Sequence, residues 1–305
     1  MHWLWETFLH RKPLRETPDQ TPSDSSFQSA GRAAKGTTFS PQPHICAITD
    51  VGRVRDHNED LYYISPDCIW FVVADGMGGH EAGDVAAALA IEAIVEHLNL
   101  ERLSTATKGC IGPLLLDAVT SAHTRVWEEN RKRESGKEMG CTLALGYVSD
   151  GLVTCHVGDV RFYILHEGAL CQITHDHSTV GALVNAGELT PEEARVHPNK
   201  NEVLQAIGMP QGVFPEVNTA RLDPGDRILL CSDGLWEALS DDDIKTTLAS
   251  DGTMRQLATQ LVDRAKAAGG FDNITAILCE VQPSLRSNVQ NGGSVPSQNV
   301  EEGNA

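Results

Sequence analysis

The chain reads as an α+β protein in which helices stack outside antiparallel sheets, and three observations lead there. Short apolar runs of strand length recur at Ile45–Thr49, Ile69–Ala74, Cys141–Val148, Leu152–Val157, Arg161–Leu165, Asp226–Cys231 and Ile274–Val281. The two long helical patterns come together between strands instead of alternating with them. The middle runs follow one another as a meander, with Gly140, Asp150-Gly151, Gly158-Asp159 and Glu167-Gly168 supplying the turns. A parallel sheet built from βαβ units predicts the opposite order, strand and helix in strict alternation.

Taken from the N-terminus, residues 1–43 read as a flexible tail, because Thr, Ser, Pro, Gln and Gly dominate from Thr17 to Pro43. Ahead of that stretch, Leu4 and Phe8, and likewise Trp5 and Leu9, stand four apart with Arg11 and Lys12 just beyond. That pattern suits a short element docking on a partner or a membrane interface, with a plain disordered terminus as the alternative. The folded part spans 44–282, and residues 283–305 return to Ser, Asn, Gln and Gly as a second disordered tail. After the first strand and the short run Leu61–Ile64, Ile91, Ile94, Val95 and Leu98 trace one apolar helical stripe. Leu115, Ala118, Val119, Ala122 and Val126 trace a second, and Leu257, Leu261, Val262 and Ala265 a third. Asp241-Asp242-Asp243 after Ser240 is the capped, acidic first turn of a further helix.

Composition narrows the functional classes. A formal net charge of −18 over 305 residues leaves no basic face to neutralise phosphates, so nucleic acid is not an expected partner. The eight cysteines form no C-x-x-C pair, and Cys46, Cys155, Cys171, Cys231 and Cys279 read as small hydrophobes within strands. No signal peptide is visible, nor an apolar run of ~18 residues that would span a membrane. The expectation is a reduced, cytoplasmic protein.

The chemistry gathers at strand ends. Asp75-Gly76 closes one apolar run, Asp233-Gly234 closes another, and Asp272-Asn273 opens a third. A carboxylate at the lip of a buried strand is costly to desolvate without a positive partner, so three in like context suggest a shared hard cation such as Mg²⁺ or Mn²⁺. Two more motifs join them, Arg55-Asp-His-Asn-Glu59-Asp60 and Gly158-Asp159-Val160-Arg161. Each has a plainer reading: an isolated Asp-Gly is usually a turn, and Asp159 can cap one with Arg161 as a surface partner. His175-Asp176-His177 reads as surface polarity, and Gly76-Met77-Gly78 lacks the spacing of a dinucleotide loop.

Jointly, Arg-x-x-x-Glu-Asp, strand-Asp-Gly, Gly-Asp-x-Arg, Ser232-Asp-Gly-Leu-Trp-Glu237 and Asp272-Asn-Ile-Thr275 resemble the metal-dependent Ser/Thr protein phosphatases of the type 2C (PPM) family, in its motif order. The Met77-Gly-Gly-His80 continuation is similar to the bacterial branch. The resemblance implies a four-layer α-β-β-α sandwich of two antiparallel sheets flanked by helices. It implies a monomer, acting on phosphorylated proteins that a Ser/Thr kinase produces. It also implies a two-metal centre, with Mn²⁺ or Mg²⁺ as cofactor. Asp75 would bridge both ions, Asp233 and Asp272 would complete one, and Glu59 with the Gly76 carbonyl the other. Asp159 with Asp233 would hold a third, weaker ion. Asp60 would orient the attacking water, and Arg55 would grip the phosphate as a planar bidentate donor. His80 either protonates the leaving group or caps the helix beginning near Glu81, since Met77 stands where eukaryotic members place their proposed acid. Segment 174–212 resembles the family's flap subdomain, with Gln205 where many bacterial members have Arg.

Phosphate monoesters hydrolyse very slowly unaided, and their enzymes work chiefly by positioning and charge neutralisation. The expected activity is therefore hydrolysis of phosphoserine and phosphothreonine by direct attack of a water bridging two divalent ions. A non-catalytic binding module and a metal-dependent nuclease are the competing classes. The complete ligand set argues against the first, the acidic balance against the second.

Overall fold

Strand β3 (Trp70–Met77) shows how the layers arise. Its alternate side chains Trp70, Val72 and Ala74 pack into one apolar cluster, while Phe71 and Val73 pack into another. A strand with both faces buried belongs in the middle of a layered molecule, between helices on one side and a second sheet on the other. The computed structural model describes residues 44–78, 82–99, 102–103, 108–133 and 138–282, so the tails read at 1–43 and 283–305, and His80, lie outside the described residues.

In chain order the strands are β1 (His44–Asp50), β2 (Leu61–Ile64), β3, β4 (Gly140–Val148), β5 (Gly151–Val157), β6 (Arg161–His166), β7 (Ala169–Gln172), β8 (Glu216–Arg221), β9 (Arg227–Cys231) and β10 (Ile274–Glu280). One sheet has the order β1-β10-β9-β6-β7 and the other β2-β3-β4-β5-β8. Every pairing is antiparallel. Helices α1 (Gly83–His97) and α2 (Ile111–Asn130) cover the β3 sheet. On the other face of the molecule, α6 (Asp241–Ala249) and α7 (Met254–Ala267) cover the β9–β10 sheet. Between the sheets Phe71, Val73, Ala144, Phe162, Ile164, Ile228, Leu230 and Ile277 form the inner core. This is the α-β-β-α sandwich expected.

The helical stripes land where their periodicity placed them. Leu115, Ala118, Val119, Ala122 and Val126 of α2 are all buried against the sheet, as are Leu257, Leu261, Val262 and Ala265 of α7. Ser240 caps α6 by accepting from the Asp243 amide, and Asp243 reaches back to the Ser240 amide to complete a capping box.

The structure adds elements that no apolar run announced. Strands β7 and β8 close the free edges of the two sheets, and β8 (Glu-Val-Asn-Thr-Ala-Arg) alternates between half-buried and exposed positions. Edge strands are commonly polar, which is why hydropathy passes over them. Two short helices, α3 (Thr179–Asn185) and α4 (Pro191–Val196), lie within segment 174–212. Two boundaries also shift. Strand β3 runs on through Asp75 to Met77, and Asp233 opens a helical turn, α5 (Asp233–Trp236), so neither Asp-Gly pair is a free turn.

Candidate metal centre

At one end of the sandwich the inward-facing rows change from apolar to polar. Because side chains alternate along a strand, the row of Phe71 and Val73 continues to Asp75, that of Ala144 leads to Thr142, and that of Ile277 leads to Thr275. Asp75 and Thr142 are direct cross-strand partners. The same parity carries the Tyr62 row back to Asp60, and Ser232 Oγ donates to Asp60 Oδ2 at 2.7 Å. Above this polar end opens a cleft of about 310 Å³, lined by Arg55, Glu59, Asp75, Gly76, Asp159, Asp233 and Asp272 among others. Seven sequence-predicted site residues thus converge on one cavity. Asp60, 2% exposed, is held by Ser232 beside it, and His80 lies outside the described residues.

Loop 51–60 is positioned from β10. Asn273 Nδ2 donates to the carbonyls of Val51 (3.0 Å) and His57 (2.9 Å), and its Oδ1 accepts from the Glu59 amide at 2.8 Å. Glu59 then reaches over the start of α1. A Cβ on Gly83 would stand 2.7 Å from Glu59 Oε2, and one on Gly76 would stand 2.4 Å from the Gly83 carbonyl. Glycine at both positions lets the β3 end, the α1 start and the Glu59 carboxylate approach this closely.

A second support lies under Asp159 and corrects two expectations. Arg161 is 14% exposed and ion-pairs with Asp176 at 2.6 Å, and its guanidinium lies 3.5 Å above the Trp236 ring. It is therefore no surface partner, and the Asp176 and His177 side chains, 6% and 11% exposed, are largely covered instead of being surface polarity. Trp236 Nε1 donates to the Asp159 carbonyl at 3.0 Å, which joins the Gly158-Asp159 turn to the Asp233–Trp236 helix. Desolvated guanidinium–carboxylate and cation–π contacts of this kind are stronger than exposed ones.

The electrostatics of the cleft are one-sided. Burial, then the charge of Asp233, pushes the Asp75 carboxyl well above the usual carboxylate range; burial, then the charge of Asp159, does the same for Asp233. Asp60 is raised to about 6 by burial, with the Ser232 and Thr275 hydroxyls opposing. Asp159 is raised to about 7 by burial and by Asp176, against the pull of Arg161. Arg55 is the single Lys or Arg among the lining residues; it is half exposed and already paired with Asp272 at 2.7 Å. Asp60 Oδ1 is buried without a hydrogen-bond partner, as is Thr142 Oγ1. Oxygen donors only, an excess of buried negative charge and an orphaned carboxylate oxygen fit hard divalent cations.

Two neighbouring features offer other chemistry and do not sustain it. One ring nitrogen each of His156 and His177 and a Glu216 carboxylate oxygen lie within 4.8 Å of one another. However, the Gly158 amide donates to His177 Nδ1 at 3.2 Å, so the neutral ring carries its proton on Nε2, and the two imidazoles stack at 4.6 Å. The grouping ties the Gly158 turn to the segment that follows β7. Cys155 and Arg161 have the Cys-x5-Arg spacing of phosphocysteine enzymes, a match the reading of the cysteines as hydrophobes passed over. Cys155 is fully buried on the helix-facing side of β5, burial pushes its thiol up to about 12, and Arg161 is committed to Asp176. No thiolate is available there.

The cleft also contains residues that carried no role in the sequence reading. Glu237 follows Asp233 by four residues, and once Asp233 opens a helix that spacing brings it to the same face. It pairs with Lys200 at 2.8 Å. Thr142, Asn201 and Val203 carry no local signal at all, because register and the return of segment 174–212 place them.

Comparison with known proteins agrees with this geometry. The family model for protein phosphatase 2C matches residues 53–279, and the chain belongs to that family. It is 35% identical over 248 residues to protein phosphatase PhpP of Streptococcus pneumoniae, covering 77% of this chain and 96% of that protein. Among solved structures it is similar to the serine/threonine phosphatase PstP/Ppp of Mycobacterium tuberculosis, with a TM-score of 0.72 and 34% identity, covering 79% of this chain and 99% of that one. A PstP catalytic domain in complex with two manganese ions matches with a TM-score of 0.69 and 32% identity, over 79% and 99% of the two chains. Among the described residues no helix is long and apolar enough to cross a membrane.

Proposed function

We propose that the chain is a metal-dependent protein serine/threonine phosphatase that hydrolyses phosphoserine and phosphothreonine by direct attack of water. The observation that carries this reading is the convergence of Glu59, Asp75, Asp159, Asp233 and Asp272 on one cleft with Arg55 at its lip. Asp75, Asp233, Asp272, Glu59 and the Gly76 carbonyl would together hold a pair of divalent ions. Asp159 with Asp233 would hold a third, weaker ion. Mn²⁺ or Mg²⁺ fits the all-oxygen donor set. When bound, such a pair acidifies a water for in-line attack and neutralises charge on the phosphoryl oxygens.

The chain's own residues do the rest. Asp60 has one oxygen fixed by the Ser232 hydroxyl, which leaves Oδ1 free to take the hydrogen bond of the attacking water and orient it. Arg55 leaves Asp272 to grip the phosphate with its paired N–H donors. Arg161, through Trp236, keeps Asp159 and Asp233 in register. His80 stands as the leaving-group acid, with helix capping as its alternative.

Residues 44–282 form the catalytic unit and 174–212 its flap. Phosphorylated proteins in the cytoplasm are the substrates, met by a monomer whose tail docks on a partner. The decisive experiment is phosphate release from phosphoserine and phosphothreonine peptides with Mn²⁺ and with chelator. Turnover that chelator abolishes supports the reading. Peptide binding without phosphate release makes the protein a binding module instead.

A further inference from the structure

A second cavity, of about 320 Å³, adjoins the carboxylate cleft and shares Met77, Asn201 and Val203 with it. Its apolar wall is Met77, Val203, Leu204, Ala206 and Met209. Leu204 is 48% exposed. Two of the polar residues that line it, Gln205 and Glu202, are already engaged. Gln205 Oε1 accepts from the Phe214 amide at 2.7 Å, and Glu202 Oε2 accepts from the Thr179 hydroxyl at 3.0 Å. No Lys or Arg is among the lining residues.

We propose that this cavity is a substrate subsite that takes an uncharged apolar side chain, Leu, Met or Phe, two residues from the phosphorylated Ser or Thr. The proposal rests on the phosphatase reading above and names the substrate class that reading leaves open. Its occupant follows from continuity: a ligand held by its phosphate in the cleft has only the shared Met77–Val203 wall to cross. In an extended peptide, residues two apart share a face and lie about 6.5–7 Å apart, so that neighbour is the one brought over the second cavity. Two methionines make the wall adaptable in shape. Glu202 at the rim, with no lining cation, disfavours Asp or Glu at the same position.

The test uses the full chain with Mn²⁺ and phosphothreonine peptides carrying Leu, Ala or Asp at each of the four positions flanking the phosphoresidue. The expected result is a preference for Leu over Ala of about tenfold or more in kcat/KM at one position two residues away, with Asp below Ala. Leu204→Glu and Met209→Ala should each shrink that preference to about twofold or less. Turnover of p-nitrophenyl phosphate, which has no side chain to place there, should stay within about twofold of wild type, which also shows that the variants fold. Flat kcat/KM across the peptides, or a Leu preference that both variants retain, overturns the proposal while p-nitrophenyl phosphate is still hydrolysed. Loss of all turnover by the wild-type protein refutes the phosphatase reading instead.

Discussion

Arg55 offers the sharpest quantitative test, because it has two candidate partners that compete. Its Nη2 stands 2.7 Å from Asp272 Oδ2, with the two side chains 51% and 34% exposed. An ion pair this accessible contributes about 0.2–1 kcal/mol once solvent and salt screen it. A cation that uses Asp272 must displace that contact, so Arg55 weakens metal binding by at most about 1 kcal/mol, or roughly fivefold in Kd. Against phosphate the same guanidinium makes charge-assisted hydrogen bonds, worth about 1.5–3 kcal/mol, or roughly 10–150-fold. Arg55→Ala is therefore expected to raise KM for a phosphopeptide by that larger factor. It should also tighten Mn²⁺ binding slightly, and the opposite directions are what distinguish a phosphate grip from a metal-site scaffold. Titration calorimetry of Mn²⁺ into metal-free protein gives the first quantity and steady-state kinetics at saturating Mn²⁺ the second. A variant that binds Mn²⁺ tenfold more weakly, or one whose KM does not move, refutes the reasoning.

The remaining expectations concern the carboxylates and their supports. Asp75→Asn and Asp233→Asn should each abolish nearly all turnover yet raise the melting temperature of the metal-free protein, since each removes a buried like charge; a variant with near wild-type rate would not be a ligand. Gly83→Ala removes no donor atom, but its Cβ would stand 2.7 Å from Glu59 Oε2, so Mn²⁺ affinity should fall measurably by calorimetry while far-ultraviolet dichroism stays native. Metal-free protein should lose stability as pH rises. Asp60 and Asp159 titrate at about 6 and about 7 when folded, against about 3.9 for a free aspartate, so across that window the folded state keeps protons the unfolded chain has lost. The stability is fully present below about pH 4 and is lost as pH climbs through about 7. Above that, Mn²⁺ at a hundred times its Kd should restore about 2.7 kcal/mol, or roughly 5–10 °C, in a thermal melt. A flat pH profile in the metal-free protein would contradict the buried-charge account.

What the sequence disclosed and what it withheld divide along a physical line. Asp75, Asp233 and Asp272 were visible because each bounds an apolar run, and a carboxylate at the lip of a strand is locally anomalous without any knowledge of its neighbours. The helical stripes were visible for the same reason, their period being a local property of the chain. Cross-strand placement is not local. Thr142 faces the cleft because β4 pairs with β3 in the register Asp75↔Thr142, and a slip of one residue would have turned it toward the helices. Asp176 and His177 looked like surface residues until the structure set Asp176 against Arg161 and His177 against His156, partners 15 and 21 residues away. A polar side chain covered by pairing across the fold is legible only with its partner in view. The isolated sequence systematically misreads such pairs as solvated.

That asymmetry also accounts for how the centre is built. Oxygens that would meet a divalent ion or the water beside it must be left unsatisfied by the protein: Asp60 Oδ1 has no hydrogen-bond partner, and Asp75 and Asp233 repel each other. Uncompensated charge of this kind costs stability, and the fold withstands it through contacts just outside the cleft. Asn273 holds loop 51–60 by three hydrogen bonds, and Arg161 braces Trp236 beneath the Asp159 carbonyl. These supports are polar, saturated and largely buried, the inverse of the ligands they carry. A substitution that saturates a ligand should therefore stabilise the protein and silence it, whereas one that unsaturates a support should weaken both fold and metal binding. Asn273→Ala is the case that separates the two classes. It leaves the Glu59 amide and the Val51 and His57 carbonyls without a partner, and by the cost of stranded buried groups it should lower stability by about 1–3 kcal/mol or more. Denaturant unfolding of the metal-free protein measures that loss, and a melting point equal to or above wild type would show that the loop is held by something else.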